Sequence, residues 1–466
     1  MTDFVAFPAG LAAALQTGFL NREFEEGLDS VLAYRRLALQ ETINTNIGET
    51  LTRTRKGRNA PSITPISGVN INSGLDNSLV SQSYSVEQYT ITMFQYAQTQ
   101  DVNLLQQLAG IADQAIAAAR NNGVAAAQTL ERLAKIQLYA SYCGGNTFVR
   151  TDLGASSTTT VYVDDIRGFQ YVSVNGVLTP VSGANPLQCY EFPTTSGGIS
   201  QTFNVTGATA AGTSIFPGSG GSGTTDGVAG FLTITGAGSA PVNGDAIIAS
   251  NAAYIIRPNG KYSTNELVST DVLTLGTIMD AVAYLRNAGV PPLANGTYAC
   301  ILDNTSLRQL FSDQQFMVMF AASSKAKEYV SGDVFELLGV TFIPTTEAYV
   351  QNPSGSILKT VVRRPIVVGA EAMIQGNFEG MEMWLNRQGV EGNTVSEVML
   401  VNGVAQIIRV PLDRLQQVVS LSWSWIGGFA CPTDLTANNT IVPTVGNNLT
   451  GGNPLYKRCV VIETAG

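Results

Sequence analysis

Residues 83–102, SYSVEQYTITMFQYAQTQDV, decide how this chain is to be read. Tyr84, Val86, Tyr89, Ile91 and Met93 stand at mostly alternate positions among β-branched and aromatic neighbours, a pattern that predicts one long strand. From Asp101 the period changes. Leu104, Leu105, Leu108, Ile111, Ala112 and Ala115 fall on one helical face, and Leu130, Leu133, Ile136 and Leu138 roughly continue the stripe. Asp101 fits the N-cap of that helix. Asn121-Asn122-Gly123 is expected to kink or split it, yet two nearly collinear halves would run roughly 60 Å at about 1.5 Å per residue.

Upstream, residues 1 to about 75 read as an extended arm with one helix. Phe24, Leu28, Leu32 and the run from Tyr34 to Leu39 suggest helical periodicity before the Thr/Asn-rich ETINTNIGET. Residues 51–78, LTRTRKGRNAPSITPISGVNINSGLDNS, are too rich in Gly, Pro, Ser and Asn for a compact domain and read as a long loop reaching a partner. The loop opens with the densest charge in the chain, Arg53, Arg55, Lys56 and Arg58. Two readings stand for it: contact between subunits or with packaged DNA, and a solvated strand end.

Downstream of Cys143-Gly144-Gly145 the chain turns to Thr, Ser, Gly and Val until about residue 265. The segments TTTVYVDDI, SQTFNVTG, GFLTITG and GDAIIA predict strands of an inserted β-barrel or sandwich. PGSGGSGTTDG at 217–227 reads as a surface loop without the Lys-Ser/Thr ending of a phosphate-binding loop. From 270 to 350 helices and strands alternate. VLTLGTIMDAVAYLRNAGV is an amphipathic helix stopped by Gly289 and Pro291-Pro292, TYACILDN a buried strand, NTSLRQLFSD a capped helix and GVTFIPTTEAYV a further strand. VVRRPIVVGAEAMIQG, MEMWLNR, QIIRVPLDRLQQVVSLSWSWIGGFACP and YKRCVVIETA read mostly as strands closing the core. No fixed-period repeat is visible, which removes solenoids and propellers.

At 466 residues the chain predicts two or three structural units, one of them an insertion. Only 13% of its residues are charged, about half the usual share, which suits a surface covered by other subunits or, more plainly, a β-rich protein with polar uncharged loops. A net charge of −9 argues against a dedicated nucleic-acid binder. The chain has no histidine, so Ser-His-Asp, Cys-His and His-ligated zinc chemistry are excluded. Cys143, Cys189, Cys300, Cys431 and Cys459 form no C-x-x-C pair and read as reduced core or interface residues. The first residues carry no basic region, and neither a secretory nor a transmembrane segment is expected.

The remaining candidates for chemistry each have a plainer reading. Asp164-Asp165 and the trio Glu23, Glu25 and Glu26 are sequence neighbours that do not converge, and a surface role is expected for them. Trp423 and Trp425 share one face of a strand with no polar cluster beside them, which favours packing. Met317, Met319 and Phe320, near Phe311, form an apolar cluster open to either core or subunit contact.

An arm, an extended loop, a long strand, a long helix and an α/β stretch followed by closing strands resemble the Hong Kong 97-like major capsid proteins of tailed bacteriophages. Within them the chain resembles the N4-type podophage branch. The segments behind this are SVEQYTITMFQYAQTQDV leading into the helix, GTYACILDNTSLRQLFSD before FELLGVTFIPTTEAYV, and VPLDRLQQVVSLSWSWIGGFACP. They cover about residues 40–145 and 265–435, and the stretch from 150 to 265 lies outside the shared pattern. The resemblance implies an α+β fold with an N-terminal arm at 1–47, an extended-loop hairpin at 48–100 and a peripheral-domain spine helix at 101–149. It further implies an inserted β-rich domain at 150–265, an axial domain at 266–375 and C-terminal strands at 376–466 returning to the peripheral domain.

The resemblance also implies a function: a non-enzymatic subunit, without cofactor, that builds hexamers and pentamers of an icosahedral shell around double-stranded DNA. Its partners would be itself, a portal protein, scaffolding and cement or decoration proteins, and DNA held by non-specific contact, with no membrane. It would assemble in the bacterial cytoplasm and reside in the virion. Arg53, Arg55, Lys56 and Arg58 would be assembly contacts. Non-covalent closure is expected, since no matched Lys, Asn and Glu for cross-linking stands out. A phage tail or fibre protein and an encapsulin-like compartment shell are the alternatives.

Overall fold

A computed structural model describes residues 17–29, 33–43, 50–56, 86–103, 114–151, 153–174, 177–194, 198–210, 228–261, 263–322, 336–351, 360–378, 395–409, 418–434 and 456–466. The stretch 57–85, the glycine-rich 217–227, the segment 381–387 and Leu104 to Ile111 lie outside them.

Among the described residues helix α1 (Thr17–Asp29) and strand β1 (Leu39–Ile43) come first, then β2 (Thr50–Lys56), β3 (Val86–Thr92), β4 (Phe94–Asn103) and the long helix α2 (Gln114–Tyr142). A β-rich stretch follows: β5 (Asn146–Phe148), β6 (Thr160–Val163), β7 (Tyr171–Val174), β8 (Val177–Pro180), β9 (Leu187–Phe192), β10 (Gln201–Ala210), β11 (Gly230–Thr235) and β12 (Ala246–Ala249). Next come β13 (Ile255–Ile256), α3 (Leu275–Asn287), β14 (Tyr298–Leu302), α4 (Asn304–Ser312), α5 (Gln314–Ala322), β15 (Glu336–Leu337), β16 (Val340–Pro344) and β17 (Val350–Gln351). The last strands are β18 (Val362–Arg363), β19 (Ile366–Val368), β20 (Ile374–Phe378), β21 (Val395–Val401), β22 (Val404–Arg409), β23 (Val418–Ala430), β24 (Cys459–Ile462) and β25 (Thr464–Ala465).

The chain divides into two compact units. The first comprises Met1–Thr52, Thr90–Gln137 and Met373–Cys431. Its sheet runs β1-β20-β23-β22-β21, with β4 on the opposite edge of β23. Over the first half of β23, from Val418 to Trp423, inward and outward residues alternate. The side chains of Val419, Leu421, Trp423 and Trp425 turn inward, while Ser420 and Ser422 face outward, half-buried. The tryptophans meet Phe24 and Leu28 of α1 and Ala126, Ala127 and Leu130 of α2 in one core cluster. Trp425 also stacks on Tyr96 and Phe429, at 5.9 and 5.5 Å between ring centroids. The β21–β22 hairpin turns at Asn402-Gly403, whose φ values of 49° and 81° are those of a two-residue turn with both residues left-handed.

Four expectations are corrected in this unit. The helical run from Tyr34 to Leu39 is not one helix: α1 ends at Asp29, and Leu39 opens β1, which lies parallel to β20. Asp101 caps no helix. It sits inside β4, because ten residues of β23 carry the antiparallel ladder as far as Asn103, and its carboxylate accepts the Ser420 hydroxyl. The boundary expected between 100 and 101 therefore falls within a strand.

The Asn121-Asn122-Gly123 sequence does not break α2, which runs through it for 29 residues, about 43 Å at 1.5 Å per residue. Gly123 is where α1 crosses: a Cβ there would lie 2.3 Å from the Phe24 carbonyl oxygen, and one at Gly27 would lie 2.6 Å from that of Arg120. Asn122 is buried and donates to the Leu421 carbonyl at 3.0 Å. Residues that resemble breakers in isolation are thus a notch and a buried donor. The fourth correction concerns the C-terminal strands. The block from 376 does not stay together, for β24 and β25 belong to the second unit.

The second unit comprises Arg53–Tyr89, Leu138–Ala372 and Pro432–Gly466. Its antiparallel sheet runs β5-β12-β9-β10-β11-β6. The end strands meet through the Val149–Val163 bridge, with Arg150 N–H donating to the Tyr162 carbonyl at 2.9 Å and Asp164 N–H to that of Phe148 at 3.1 Å. Inward residues at every second position, among them Val161, Val163, Val205, Leu232 and Ile234, fill the interior with Phe169, Phe192 and Phe203.

A mixed sheet runs β13-β24-β19-β14-β16-β15, with β14 buried at every residue as an inner strand of an α/β layer should be. Helix α3 packs Ile278, Ala281, Val282 and Leu285 into its core. Thr274 and Thr277 form a capping box at its start, and Gly289, at φ 68°, follows its end. Asp303 caps α4. The apolar cluster around Phe311 divides. Phe316 is buried against Phe311 and Phe342, whereas Val318 and Met319 are exposed.

Candidate functional site

β2 and β3 form a two-stranded ribbon of their own. Arg53 and Arg55, two apart on β2, share one face of it. Arg53 is exposed, while Arg55 is half-buried. Lys56 ends the strand, and Arg58 lies outside the described residues. Of the four cations marked out in the sequence, Arg55 has a defined place.

Its guanidinium reaches Glu371 at 2.9 Å and Asp434 at 3.2 Å. Arg458 touches the same two carboxylates, each at 3.0 Å, and donates also to the Ala370 carbonyl at 2.9 Å. Two cations and two anions so alternate around a ring that draws on residues 55, 371, 434 and 458. Its limbs differ in worth. The Asp434 side chain is 2% exposed, so losing either partner strands a buried charge, a penalty of about 3–5 kcal/mol. Glu371 is half exposed, and its ion pairs contribute at most about 1 kcal/mol. Lys457 stands beside the ring. Burial draws its ammonium below the usual lysine range, with Asp434 opposing.

A second network lies deeper in the same unit. Arg364 donates to Glu463 and Gln351, each at 2.8 Å, and its guanidinium sits 4.7 Å over the Tyr349 ring. Glu463 also accepts from Arg257 at 2.7 Å and from Thr264 at 2.8 Å. Burial alone would raise this carboxyl, but the Arg257 and Arg364 guanidiniums outweigh it and hold it at about 2.

The paired acids at 164 and 165 do not have the surface role expected of them. Asp164 is buried against Arg150 at 2.9 Å, and Asp165 binds Arg167 in a fork at 2.7 to 3.0 Å. The five cysteines form no disulfide. Burial pushes Cys143 and Cys300 up to about 12 and raises Cys189 as well, so these three are protonated and weakly nucleophilic at neutral pH. Among the described residues no cluster of three His, Cys, Asp or Glu side chains could hold a metal ion, and no helix is long and apolar enough to cross a membrane. What this arrangement does chemically is hold chain segments together.

Sequence reasoning missed Glu371, Asp434, Arg458 and Glu463. The partner of each lies many residues away in sequence, so no local spacing marks the pairing.

No family model matches the chain, and no curated protein matches it either. Among solved structures it is similar to the capsid of Ralstonia phage GP4, with 9% identity over 92% of this chain and 87% of that one and a TM-score of 0.48. It is similar also to the capsid of cyanophage Pam1, with 10% identity over 91% and 87% and a TM-score of 0.46. The capsid of cyanophage P-SCSP1u gives 10% identity over 94% and 89% and a TM-score of 0.45.

Proposed function

We propose that this chain is the major capsid protein of a tailed bacteriophage, a Hong Kong 97-like subunit that assembles into hexamers and pentamers of a shell around double-stranded DNA. One observation carries the reading: the order of parts. A two-stranded ribbon leads through β4 into a single long helix, a β-rich insertion follows, and a mixed α/β sheet is completed by the end of the chain. The step from architecture to role is one of analogy in fold. A chain with half the usual charged share supports it independently, since such a surface suits burial against neighbours.

In this reading 1–47 is the arm, β2 and β3 the root of the extended loop, α2 the spine helix, and the ring of strands from 146 to 249 an inserted barrel. Arg53, Lys56 and Arg58 serve contacts between subunits, and Arg55 secures its own chain. A portal protein, scaffolding or cement proteins, and packaged DNA are the remaining partners, and the virion is the location. Within the tailed-phage capsid proteins we place it in the N4-type podophage branch, which its segments resemble.

The test is expression of the full chain, with a scaffolding partner where one is needed, and negative-stain electron microscopy. Closed icosahedral shells or hexamer sheets are the expected product. Monodisperse monomers or slender trimers would overturn the proposal in favour of a fibre protein.

A further inference from the structure

Among the described residues β4 is an outer strand that pairs with β23 alone. Seven of its ten residues are exposed, and they lie on both faces: Gln95, Ala97, Thr99 and Asp101 on one, Phe94, Gln98 and Gln100 on the other. On the second face Tyr96 stacks on Trp425 and Val102 is buried, yet Gln98 and Gln100 between them stay open, and Phe94 is 56% exposed. Among the described residues the layer covering this sheet stops short of its last strand. Edges of this length are normally blunted by lysine, proline or a bulge. FQYAQTQDVN contains neither residue, carries one charge, and pairs with β23 through ten positions without a register shift.

The strand is also complementary to itself. Directly opposed residues of an antiparallel pair either both turn their backbone groups towards the partner or both turn them away, with side chains on one face, so a strand meets its own copy with one residue opposite itself. Centred on Gln98, the register sets Gln98 against Gln98, Ala97 against Thr99, Tyr96 against Gln100, Gln95 against Asp101 and Phe94 against Val102. A carboxamide then faces the lone carboxylate, an apolar pair closes each end, and the two aspartates stand apart.

We infer that β4 is a docking edge for a second copy of this chain, the two strands joining antiparallel about a two-fold axis at Gln98 into one sheet across two subunits. This names one contact between copies and does not depend on the shell reading.

The test is disulfide trapping in the full chain. In Gln98→Cys the paired Cα atoms would stand about 4.5–5.5 Å apart, within reach of a disulfide. In Gln100→Cys they would stand roughly 13 Å apart, at about 3.3 Å per residue. Copper–phenanthroline oxidation should give a disulfide dimer from Gln98→Cys and none beyond the native background from Gln100→Cys. Equal yields from the two variants, or no dimer from Gln98→Cys, overturn the inference. Gln98→Lys sets two ammonium groups face to face and should weaken self-association at least tenfold in sedimentation. Unchanged association would overturn it as well. Shells that form without the cross-link remove this contact and leave the shell reading standing, whereas cross-linked dimers that build no shell do the reverse.

Discussion

The carboxylate of Glu131, on α2, accepts the backbone N–H of Tyr34 at 2.6 Å across 97 residues of chain. It accepts those of Ala33 and Arg35 too, at 2.8 and 3.2 Å. One buried side chain so satisfies three donors at the point where the chain passes from α1 towards β1. The Arg35 guanidinium completes the anchorage by donating to Gln375 at 3.1 Å and to the Asn402 carbonyl at 2.6 Å.

Replacing Glu131 by Gln removes the charge from these bonds and turns an amide donor towards backbone N–H groups. The loss should be about 2 kcal/mol, the scale of a hydrogen bond to a charged acceptor. Denaturant unfolding measures it, and hydrogen exchange at residues 33–35 should accelerate in the variant. Protection as strong as in the native chain would mean that Glu131 is not the anchor.

Gly123→Ala sets two effects against each other. Alanine favours a helix interior over glycine by about 1 kcal/mol. At this position, however, the new methyl would meet backbone at 2.3 Å, and α1 must move away from α2. Overpacking of this kind costs about 1–3 kcal/mol, so the variant should melt lower than the native protein. A higher melting temperature would show that the crossing yields easily.

The charged ring predicts unequal variants. Asp434→Ala strands Arg458 and the half-buried Arg55 and should destabilise by about 3–5 kcal/mol. Glu371→Ala removes a half-exposed partner and should cost under about 1 kcal/mol. Equal losses in parallel urea titrations would refute the ranking.

Glu463 makes stability depend on acid. Its pKa is held at about 2 in the folded chain, below that of an unfolded glutamate at about 4.3. The stabilisation is therefore complete above the unfolded value and fades as pH falls towards about 2, a change on the order of 3 kcal/mol. The advantage of the native chain over Glu463→Gln should shrink between about pH 5 and pH 2. An advantage constant over that range would place the effect elsewhere.

Much of the secondary structure was legible because local pattern fixed it. Alternation in VVSLSWSWIGGFA predicted a strand with both tryptophans on one face, and Thr274 and Asp303 stand at helix starts where their side chains reach backbone N–H groups. The charged anchors were not legible. Asp434 and Arg458, or Glu131 and Tyr34, acquire meaning only when folding brings distant segments together.

Asp101 and Gly123 show where the two levels part. By itself the sequence determined composition, the missing histidine chemistry, the period of each element and the ends of α3 and α4, because these depend on neighbours within a few residues. Only the tertiary structure decided that Asp101 continues a strand, since ten pairs with β23 outweigh one capping bond. Only it decided that Gly123 lies inside an unbroken helix and serves as the notch for α1, whose close approach leaves no room for a side chain there. The physical reason is the same for both: local preferences are worth about 1 kcal/mol, and a ladder or a packed helix crossing sums many such terms from residues that the sequence keeps far apart.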